Sequence, residues 1–392
     1  MSTGKPFYYQ ESEENEQTPF GHFRASAGSK NSQSSARVSF YDPTKSYDEN
    51  YASGPFGAFA DGVTVEEQGE PQFEFFGHKI YTPFGIPAGP LLNSAFMKGA
   101  FDKGFDIAVY KTVRSGTYPC HPFPNVLAIH PGETLTLERA QSEPLVADTN
   151  YEEPISITNS FGVPSKEARV WQEDFKVANT YAKKGQLAIL SFMGTVREGQ
   201  TQQEFIDDYI LAGSLAAETG AKVLEVNLSC PNIGNEGLVC YNLDVTEKVC
   251  EGLSAKIGKI PLVLKVGYYK NTEDIERLVS IADKYADGIA AINTLQATIV
   301  NEKGEQALPG KNRVKSGVCG ASIKWAGLET VARLYAARTA KNMHFTIVGV
   351  GGVTTPADFT EYRRAGADIV MSATGAMWNP HLAEEIKKEM SH

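Results

Sequence analysis

The sequence predicts a (β/α)₈ barrel that follows an N-terminal extension and carries one elaboration after its second strand. The chain has 392 residues, which exceeds the usual size of a single domain unless the fold is one large barrel. Short apolar runs alternate along it with longer helical patterns, which implies parallel strand pairing. The runs are rich in Ile and Val and lack strict polar alternation, as expected of strands buried on both faces.

The predicted strands begin near residue 84, and together they complete one barrel. They are Phe84–Gly89, Ile107–Thr112, Leu187–Gly194, Val223–Leu228, Leu262–Val266, Gly288–Asn293, Phe345–Val350 and Ile369–Ala373. Amphipathic helical patterns cover Thr201–Thr219, Val245–Ile257, Thr272–Tyr285 and Gly327–Ala340. The stretch from Val113 to Gln186 has no clear barrel strand, so we interpret it as the elaboration after strand two. A doubly wound parallel sheet is the alternative architecture.

The first 70 residues differ from the rest of the chain in composition. They hold 5 basic and 11 acidic residues, and the segment from Ala25 to Ser39 is rich in Ser, Ala and Gly without apolar periodicity. Such a composition is typical of a flexible or wrapping arm. We therefore predict an acidic, partly flexible arm at residues 1–70 and the barrel domain at residues 71–392.

Composition excludes several classes of function. The net charge of −10 argues against a nucleic-acid-binding surface, and no apolar run approaches the ~20 residues that a membrane helix needs. The first residues lack the apolar core of a secretory signal, and five scattered cysteines suit a reducing compartment, so we expect a cytoplasmic protein. With no CxxC pair and no HExxH motif, we expect no metal site.

Polar residues follow the predicted strands at their carboxyl ends, where (β/α)₈ barrels place their active sites. They are Lys111, the run Asn227-Leu228-Ser229-Cys230-Pro231-Asn232, Lys265, and Asn293 with Thr294. A lysine at the end of an apolar strand is costly to bury without an anion nearby. Lys265 has an alternative explanation, which is a pairing with a buried carboxylate.

The loops after strands seven and eight carry small residues that predict a phosphate site. Gly349, Gly351 and Gly352 follow one strand, and Ala373-Thr374-Gly375 follow the other. Small residues let backbone N–H groups approach an anion, and barrels commonly bind phosphate with these two loops. Tight turns that need a positive φ are the alternative explanation.

Cys230 is the candidate reactive group. It lies just past a strand end, in a loop rich in Gly and Asn, where a movable catalytic group belongs. A buried structural cysteine is the commoner role of a single Cys, and we assign that role to Cys240 and Cys250. No histidine is placed by sequence to form a Cys–His couple.

The residues from Val226 to Asn232 resemble the signature of the dihydroorotate dehydrogenase family, in its soluble class with a cysteine base. The resemblance runs from about Phe84 to the C-terminus, and several motifs match in the family's order. These further motifs are Tyr110-Lys111-Thr112, 159–164, 264–266, 292–294, 317–324 and 347–353.

The resemblance implies a barrel that binds FMN and oxidises dihydroorotate to orotate in pyrimidine biosynthesis. Cys230 would remove the C5 proton while a hydride leaves C6 for the flavin. The implied substrate-binding residues are Lys111, Asn159, Phe161, Gly162, Val163, Asn227, Asn232, Asn293 and Thr294. The implied cofactor-binding residues are Ala88, Gly89, Lys111, Thr112, Asn227, Lys265, Asn293, Gly320, Gly349, Gly351, Gly352, Ala373 and Thr374.

The chain departs from the family pattern at several places. Ala88-Gly89-Pro90 stands where Ala-Ser-Gly is usual, and Ala373-Thr374 where Gly-Thr is usual. The lid after Lys111 normally carries an Arg near a Pro pair, whereas this chain has only the early Arg114. These departures leave open the substrate and the electron acceptor, for which the resemblance implies fumarate, with NAD through a partner subunit or a quinone as alternatives. A homodimer is implied by family alone.

Two other functions are compatible with the sequence. A dihydropyrimidine-type reductase resembles the cysteine region but has a His where Asn232 stands, and it carries iron–sulfur domains that this chain lacks. A catalytically silent barrel with an acidic docking arm is the second. The presence of Cys230, two strand-end lysines and four asparagines argues against a silent barrel.

Overall fold

A computed structural model describes residues 39–67, 69–132, 134–229 and 237–391 of the chain. The strands are β1 (Phe73–Phe75), β2 (His78–Ile80), β3 (Phe84–Ile86), β4 (Ile107–Val113), β5 (Val126–Ile129), β6 (Leu145–Asp148), β7 (Ser156–Asn159), β8 (Leu187–Phe192), β9 (Leu224–Asn227), β10 (Leu262–Val266), β11 (Gly288–Ala291), β12 (Leu295–Val300), β13 (Lys315–Gly320), β14 (Thr346–Val350) and β15 (Ile369–Met371).

The α-helices are α1 (Tyr47–Ser53), α2 (Ser94–Asp102), α3 (Leu137–Ser142), α4 (Ala168–Tyr181), α5 (Gln202–Ala217), α6 (Leu243–Ile257), α7 (Thr272–Tyr285), α8 (Lys324–Lys341), α9 (Pro356–Arg364), α10 (Thr374–Trp378) and α11 (Leu382–Met390). Short 3₁₀ helices cover Gly57–Ala60, Val239–Tyr241 and Ala321–Ile323. Within the described ranges, no helix is both long enough and apolar enough to cross a membrane.

Eight parallel strands close into a barrel in the order β3-β4-β8-β9-β10-β11-β14-β15. The pairing of β15 with β3 closes the sheet, so the prediction of a (β/α)₈ barrel is confirmed and the open doubly wound sheet is excluded. Each barrel strand overlaps a predicted one, and α5, α6, α7 and α8 overlap the predicted helices. The ends differ by up to three residues, because the outermost predicted residues, such as Pro87-Ala88-Gly89 after β3, belong to the loops.

The barrel interior is apolar at its amino end and polar at its carboxyl end. Its apolar residues alternate along each strand and form one cluster with Phe75 and Ile80 of the β1–β2 hairpin. That hairpin lies against the amino end, since the ring of Phe76 approaches the first residue of β11, Gly288. Because side chains alternate along a strand, Ile107 and Val109 predict an inward Lys111. The same parity turns Ser191, Glu225, Asn227 and Lys265 toward the barrel axis.

The elaboration forms a second sheet with the order β12-β13-β7-β5-β6. Strands β5, β6 and β7 come from the stretch 113–186, and none of them joins the barrel, as predicted. Strands β12 and β13 come from a second insertion after β11 that the sequence analysis missed. Because β13 pairs with β7, the second sheet joins the segment after Asn293 to the segment ending at Asn159.

The described part of the N-terminal segment packs on the barrel. The side chains of Phe40, Tyr41, Tyr47 and Phe59 are buried, and the N–H of Phe40 donates to the carbonyl of Met377 at 3.1 Å. Helix α1 begins with a capping box between Ser46 and Glu49. The predicted division at residue 70 stays a prediction, and the first 38 residues lie outside the described ranges.

Candidate active site

Lys111 lies at the carboxyl end of β4 with its side chain 7% exposed. Its Nζ donates to the carbonyl oxygen of Thr112 at 3.0 Å and to that of Pro164, and it lies 5.6 Å from the ring centre of Tyr47. Burial and the nearby Arg114 guanidinium lower the pKa of Lys111 to about 7. The lysine is therefore poised to change charge near neutral pH.

Asn227, at the end of β9, has its amide held at both ends. Its Nδ2 donates to Thr112 Oγ1 at 3.4 Å, and its Oδ1 accepts from the backbone N–H of Ser229 at 2.9 Å. The hydroxyl of Tyr209 donates to the Asn227 carbonyl at 3.1 Å. An amide offers two donors and two acceptor positions, so one N–H and one lone pair of Asn227 stay available to a ligand.

Lys265, on β10, is 5% exposed and faces the buried carboxyl group of Glu225 on β9. The two groups do not approach within 4.0 Å of each other, and within the described residues Lys265 has no hydrogen-bond partner. Burial lowers the pKa of Lys265, and the Glu225 charge opposes this shift. A buried carboxylate near Lys265, which was the alternative explanation of this lysine, is thus present. The N–H groups of Lys265 nevertheless remain available to a ligand. Sequence reasoning missed Glu225, although its spacing from Val223 signals an inward side chain.

The predicted substrate loop follows β7 and is held by two buried arginines. Arg114 Nε donates to the carbonyl of Val163 at 2.9 Å, and its Nη2 donates to that of Gly162 at 3.0 Å. Arg313 is 1% exposed, and its Nε donates to Ser160 Oγ at 3.0 Å. Its Nη groups donate to the carbonyls of Pro122, Pro124, Pro309 and Ser160. Arg313, from the connection between β12 and β13, therefore lies beside the prolines of the lid. The lid's own sequence carries no arginine next to these prolines.

The ring of Phe161, in this loop, packs against the N-terminal segment. It makes edge-to-face contacts with Tyr41 and Tyr47, at ring-centre distances of 5.7 and 6.2 Å. A cleft of about 320 Å³ opens next to the loop and is lined by Tyr47, Cys120, His121 and Pro164, among others. The N-terminal segment thus contributes aromatic side chains to the site, which the sequence analysis did not predict.

Asn159, at the end of β7, is linked to the phosphate-loop side of the barrel. Its Nδ2 donates to the sulfur of Cys319 at 3.3 Å, and the Thr374 hydroxyl acts to lower the pKa of the same thiol. Burial raises the pKa of Cys319, so the thiol stays neutral. Asn293 donates its backbone N–H to Val266, and Thr294 packs against Gly317 of β13. The described asparagines therefore lie on strands or strand ends that meet at the mouth.

The loops after β14 and β15 lie side by side because these strands pair. Gly351 and Gly352 have φ of +126° and +70°, which L side chains rarely adopt. Within the described residues, the backbone N–H groups of Gly351, Gly352, Thr374 and Gly375 have no protein acceptor. Four unpaired donors at one edge can receive an anion such as a phosphate.

The other predicted cofactor residues differ in how closely they are packed. Gly320 has φ +99°, and an added Cβ would lie 2.3 Å from the carbonyl of Ile155. Gly89 has φ +138° and open space around it, beside the half-buried Ala88. Gly349 lies within β14, where an added Cβ would lie 2.4 Å from the ring of Tyr362. Close packing explains Gly349 without a ligand.

Cys230 and Asn232 lie outside the described residues, so their roles stay predictions. Ser229, which precedes them, has a buried Oγ without a partner in the described part of the chain. Burial raises the pKa of Cys120 to about 11 and that of Cys250 to about 12, so neither thiol ionises near neutral pH. Among the described residues, no cluster of His, Cys, Asp and Glu is fit to hold a metal ion.

Fold and site together define a (β/α)₈-barrel protein whose carboxyl mouth carries buried lysines and, within the described residues, backbone N–H groups without a protein acceptor. The sequence model of one family, described as "Dihydroorotate dehydrogenase", matches residues 72–392, and the chain belongs to this family. Members of the family are flavin-dependent oxidoreductases. The family assignment confirms the resemblance seen in the sequence.

Individual relatives agree with the family assignment. The chain is 36% identical to "Dihydroorotate dehydrogenase" of Dictyostelium discoideum over 360 residues, which covers 88% of this chain and 95% of that protein. It is 33% identical over 183 residues to "Dihydroorotate dehydrogenase B (NAD(+)), catalytic subunit" of Maridesulfovibrio salexigens, covering 46% of this chain and 57% of the relative. A protein of the same description from Shouchella clausii is 26% identical, over 58% of this chain and 78% of its own length.

Proposed function

We propose that the protein binds FMN and oxidises dihydroorotate to orotate in pyrimidine biosynthesis. The observation that carries the proposal is the polar carboxyl end of the barrel, where buried cations, ligand-facing amides and an anion cradle meet in a chain of this family. The reaction removes a proton from C5 and a hydride from C6 of the substrate. When bound, FMN supplies the acceptor for that hydride.

The residues of the mouth fit FMN. The unpaired N–H groups of Gly351, Gly352, Thr374 and Gly375 suit its phosphate, since each can donate to a phosphate oxygen. Lys265 would place its ammonium near the flavin ring, where a positive charge favours the anionic reduced form. Thr112, Asn227 and Asn293 would supply hydrogen bonds to the ring. Ala88, Gly89, Lys111, Gly320, Gly349 and Ala373 complete the proposed cofactor site.

Amides and a lysine would bind the substrate. Asn159, Asn227, Asn232 and Asn293, with Thr294, can pair with a ring that presents both donors and acceptors. The loop of Phe161, Gly162 and Val163 would form the wall that Arg114 and Arg313 hold in place. Lys111 would face the substrate carboxylate, which requires a cation because a buried anion is costly to leave unpaired.

Cys230 would act as the base. As a thiolate it takes the C5 proton and becomes a thiol, while the C6 hydride leaves with its electron pair. The proton of the thiol then returns to solvent. Asn227 and Ser229 set the end of the strand from which the Cys230 loop departs.

We propose fumarate as the electron acceptor and a cytoplasmic homodimer as the working state. The family resemblance supports fumarate and the dimer. The odd number and scattered positions of the five cysteines support a reducing compartment. Reoxidation of the reduced protein by fumarate, NAD⁺ or a soluble quinone, measured in parallel, tests the acceptor, and a faster reaction with either of the last two overturns fumarate.

The cofactor is tested by releasing it from the purified protein. Denaturation should release one FMN per chain and no FAD, because the proposed cradle takes one terminal phosphate. Orotate should then bind the intact protein more tightly than uracil, which lacks the carboxylate. Equal affinity for the two pyrimidines would favour a dihydropyrimidine-type substrate.

Orotate affinity should fall as pH rises through neutrality. The pKa of Lys111 is about 7 in the free protein, so its ammonium is present below that value and is lost above it. An anion that needs this charge loses up to ~10-fold in affinity per pH unit above the midpoint. Calorimetric titration from about pH 6 to about pH 9 measures this dependence.

Lys111→Met is the control for that titration. This variant should bind orotate weakly at every pH, because it retains the side-chain length without the charge. A wild-type affinity that is constant over the range, or an unchanged profile in Lys111→Met, would show that Lys111 does not face the carboxylate.

A further inference from the structure

Two hydroxyl groups connect the Asn227 amide to a buried carboxyl group. Asn227 Nδ2 donates to Thr112 Oγ1 at 3.4 Å, and Thr112 Oγ1 lies 2.9 Å from Ser191 Oγ. Ser191 and Glu225 are partners in the register of β8 and β9, and the Ser191 hydroxyl favours the ionised form of the Glu225 carboxyl group. The four residues lie on the neighbouring strands β4, β8 and β9. They form a continuous row of polar side chains beneath the proposed ligand site, and we call it the amide chain.

The carboxyl group at the end of the amide chain is in a costly position. Glu225 is 2% exposed, and its Oε1 has no hydrogen-bond partner among the described residues. Burial raises the pKa of Glu225, whereas the Lys265 charge and the Ser191 hydroxyl favour the ionised form. Burying this carboxyl group costs free energy, and none of the proposed substrate contacts involves it. Its presence in the barrel therefore needs another physical explanation.

The direction of the hydrogen bonds supplies that role. An ionised carboxylate only accepts hydrogen bonds, so Glu225 draws the single proton of the neighbouring Ser191 hydroxyl toward itself. Ser191 then accepts from Thr112, which uses its own single proton in doing so. Thr112 is left to accept, and only the Nδ2 end of Asn227 can donate to it. Each proton along the chain is thereby directed toward Glu225.

We propose that Glu225 is a positioning residue that orders the hydroxyl protons of Ser191 and Thr112 and so holds the Asn227 amide in one orientation. In that orientation Oδ1 accepts from Ser229, and one N–H and one lone pair stay directed at the ligand. The inference rests on the proposed function only in its choice of orotate as the ligand. It assigns roles to Ser191 and Glu225, which have none in the proposed chemistry.

The test is a double-mutant cycle on orotate affinity, measured by calorimetry on the FMN-loaded protein. Ser191→Ala breaks the amide chain, and Glu225→Gln lets the side chain at 225 donate as well as accept. Each should weaken orotate binding about 5-fold, the worth of one ordinary hydrogen bond. The double variant should be no weaker than the weaker single variant, because both changes remove the same ordering.

A further variant separates positioning from a general loss of packing. Thr330→Val, the matched control, removes a buried hydroxyl that donates to the carbonyl of Ala326 within α8, so orotate affinity should not change. FMN content and the melting temperature confirm that each variant is folded.

The outcomes distinguish this inference from the proposed function. If the wild type does not bind orotate, the proposed function fails. If the wild type binds orotate and Ser191→Ala binds it equally well, the amide chain has no role in binding. Additive losses in the double variant would likewise overturn the inference, because independent effects do not share an ordered chain.

Discussion

Cys230→Ala should retain FMN and bind orotate, yet oxidise dihydroorotate about 10²- to 10⁴-fold more slowly than the wild type. The alanine removes the proposed proton acceptor without adding bulk or charge. The measurement is the rate of flavin bleaching after anaerobic mixing with dihydroorotate in a single turnover. Cys120→Ala is the matched control, because burial raises the pKa of Cys120 to about 11 and excludes it as a base near neutral pH.

The pH dependence of the same rate identifies the base. An unperturbed thiol ionises near ~8.5, so the wild-type rate should rise with pH until the thiol of the complex is deprotonated. Cys230→Ser should be slow at neutral pH and recover partly at alkaline pH, since a hydroxyl ionises far less readily. Wild-type bleaching by Cys230→Ala would remove Cys230 from the mechanism. A covalent substrate adduct on Cys230 would make it a nucleophile.

Gly351→Val should yield a folded protein that has lost its FMN. Gly351 has φ +126°, and an added Cβ would meet the Ile292 side chain only at 3.4 Å, an ordinary contact. The space at Gly351 therefore admits a Cβ, while the backbone must leave its present conformation and withdraw the N–H groups proposed to hold the phosphate. Flavin absorbance per chain after purification, together with circular dichroism, measures the effect.

A second glycine separates the loss of a binding site from the cost of backbone strain. Gly304 has φ +78° with open space around it, in the exposed turn between β12 and β13. Gly304→Val should lower the melting temperature and keep one FMN per chain. Full flavin absorbance in Gly351→Val would contradict the phosphate assignment of this loop.

The barrel was predictable because its strands are short, apolar and separated by helices with clear amphipathic spacing. The carboxyl ends of those strands also located Lys111, Asn227 and Lys265, since parallel strands bring such residues to one mouth. The second sheet was not predictable in the same way. Its strands β6 and β12 alternate buried and exposed positions, so they do not form the apolar runs that mark the barrel strands.

The side chains that hold the site in place were harder to find than those that face it. Glu225 lies two residues after Val223, so the alternation of a strand predicts that its side chain points inward. Its neighbour Ser191 could not be predicted, because it depends on the order of the strands. Arg313 lies about 150 residues from Ser160, to which it donates, and only the pairing of β13 with β7 brings them together. Such contacts depend on tertiary structure and leave no local pattern.

The central claim is that this barrel oxidises dihydroorotate with its flavin, and one anaerobic turnover tests it directly. Protein in slight excess is mixed with dihydroorotate, and flavin bleaching and orotate formation are measured on the same sample, with dihydrouracil in a parallel one. The account predicts one orotate formed for each flavin reduced, and no bleaching by dihydrouracil. Bleaching by dihydrouracil alone, or no orotate from a protein that carries its full FMN, would contradict it.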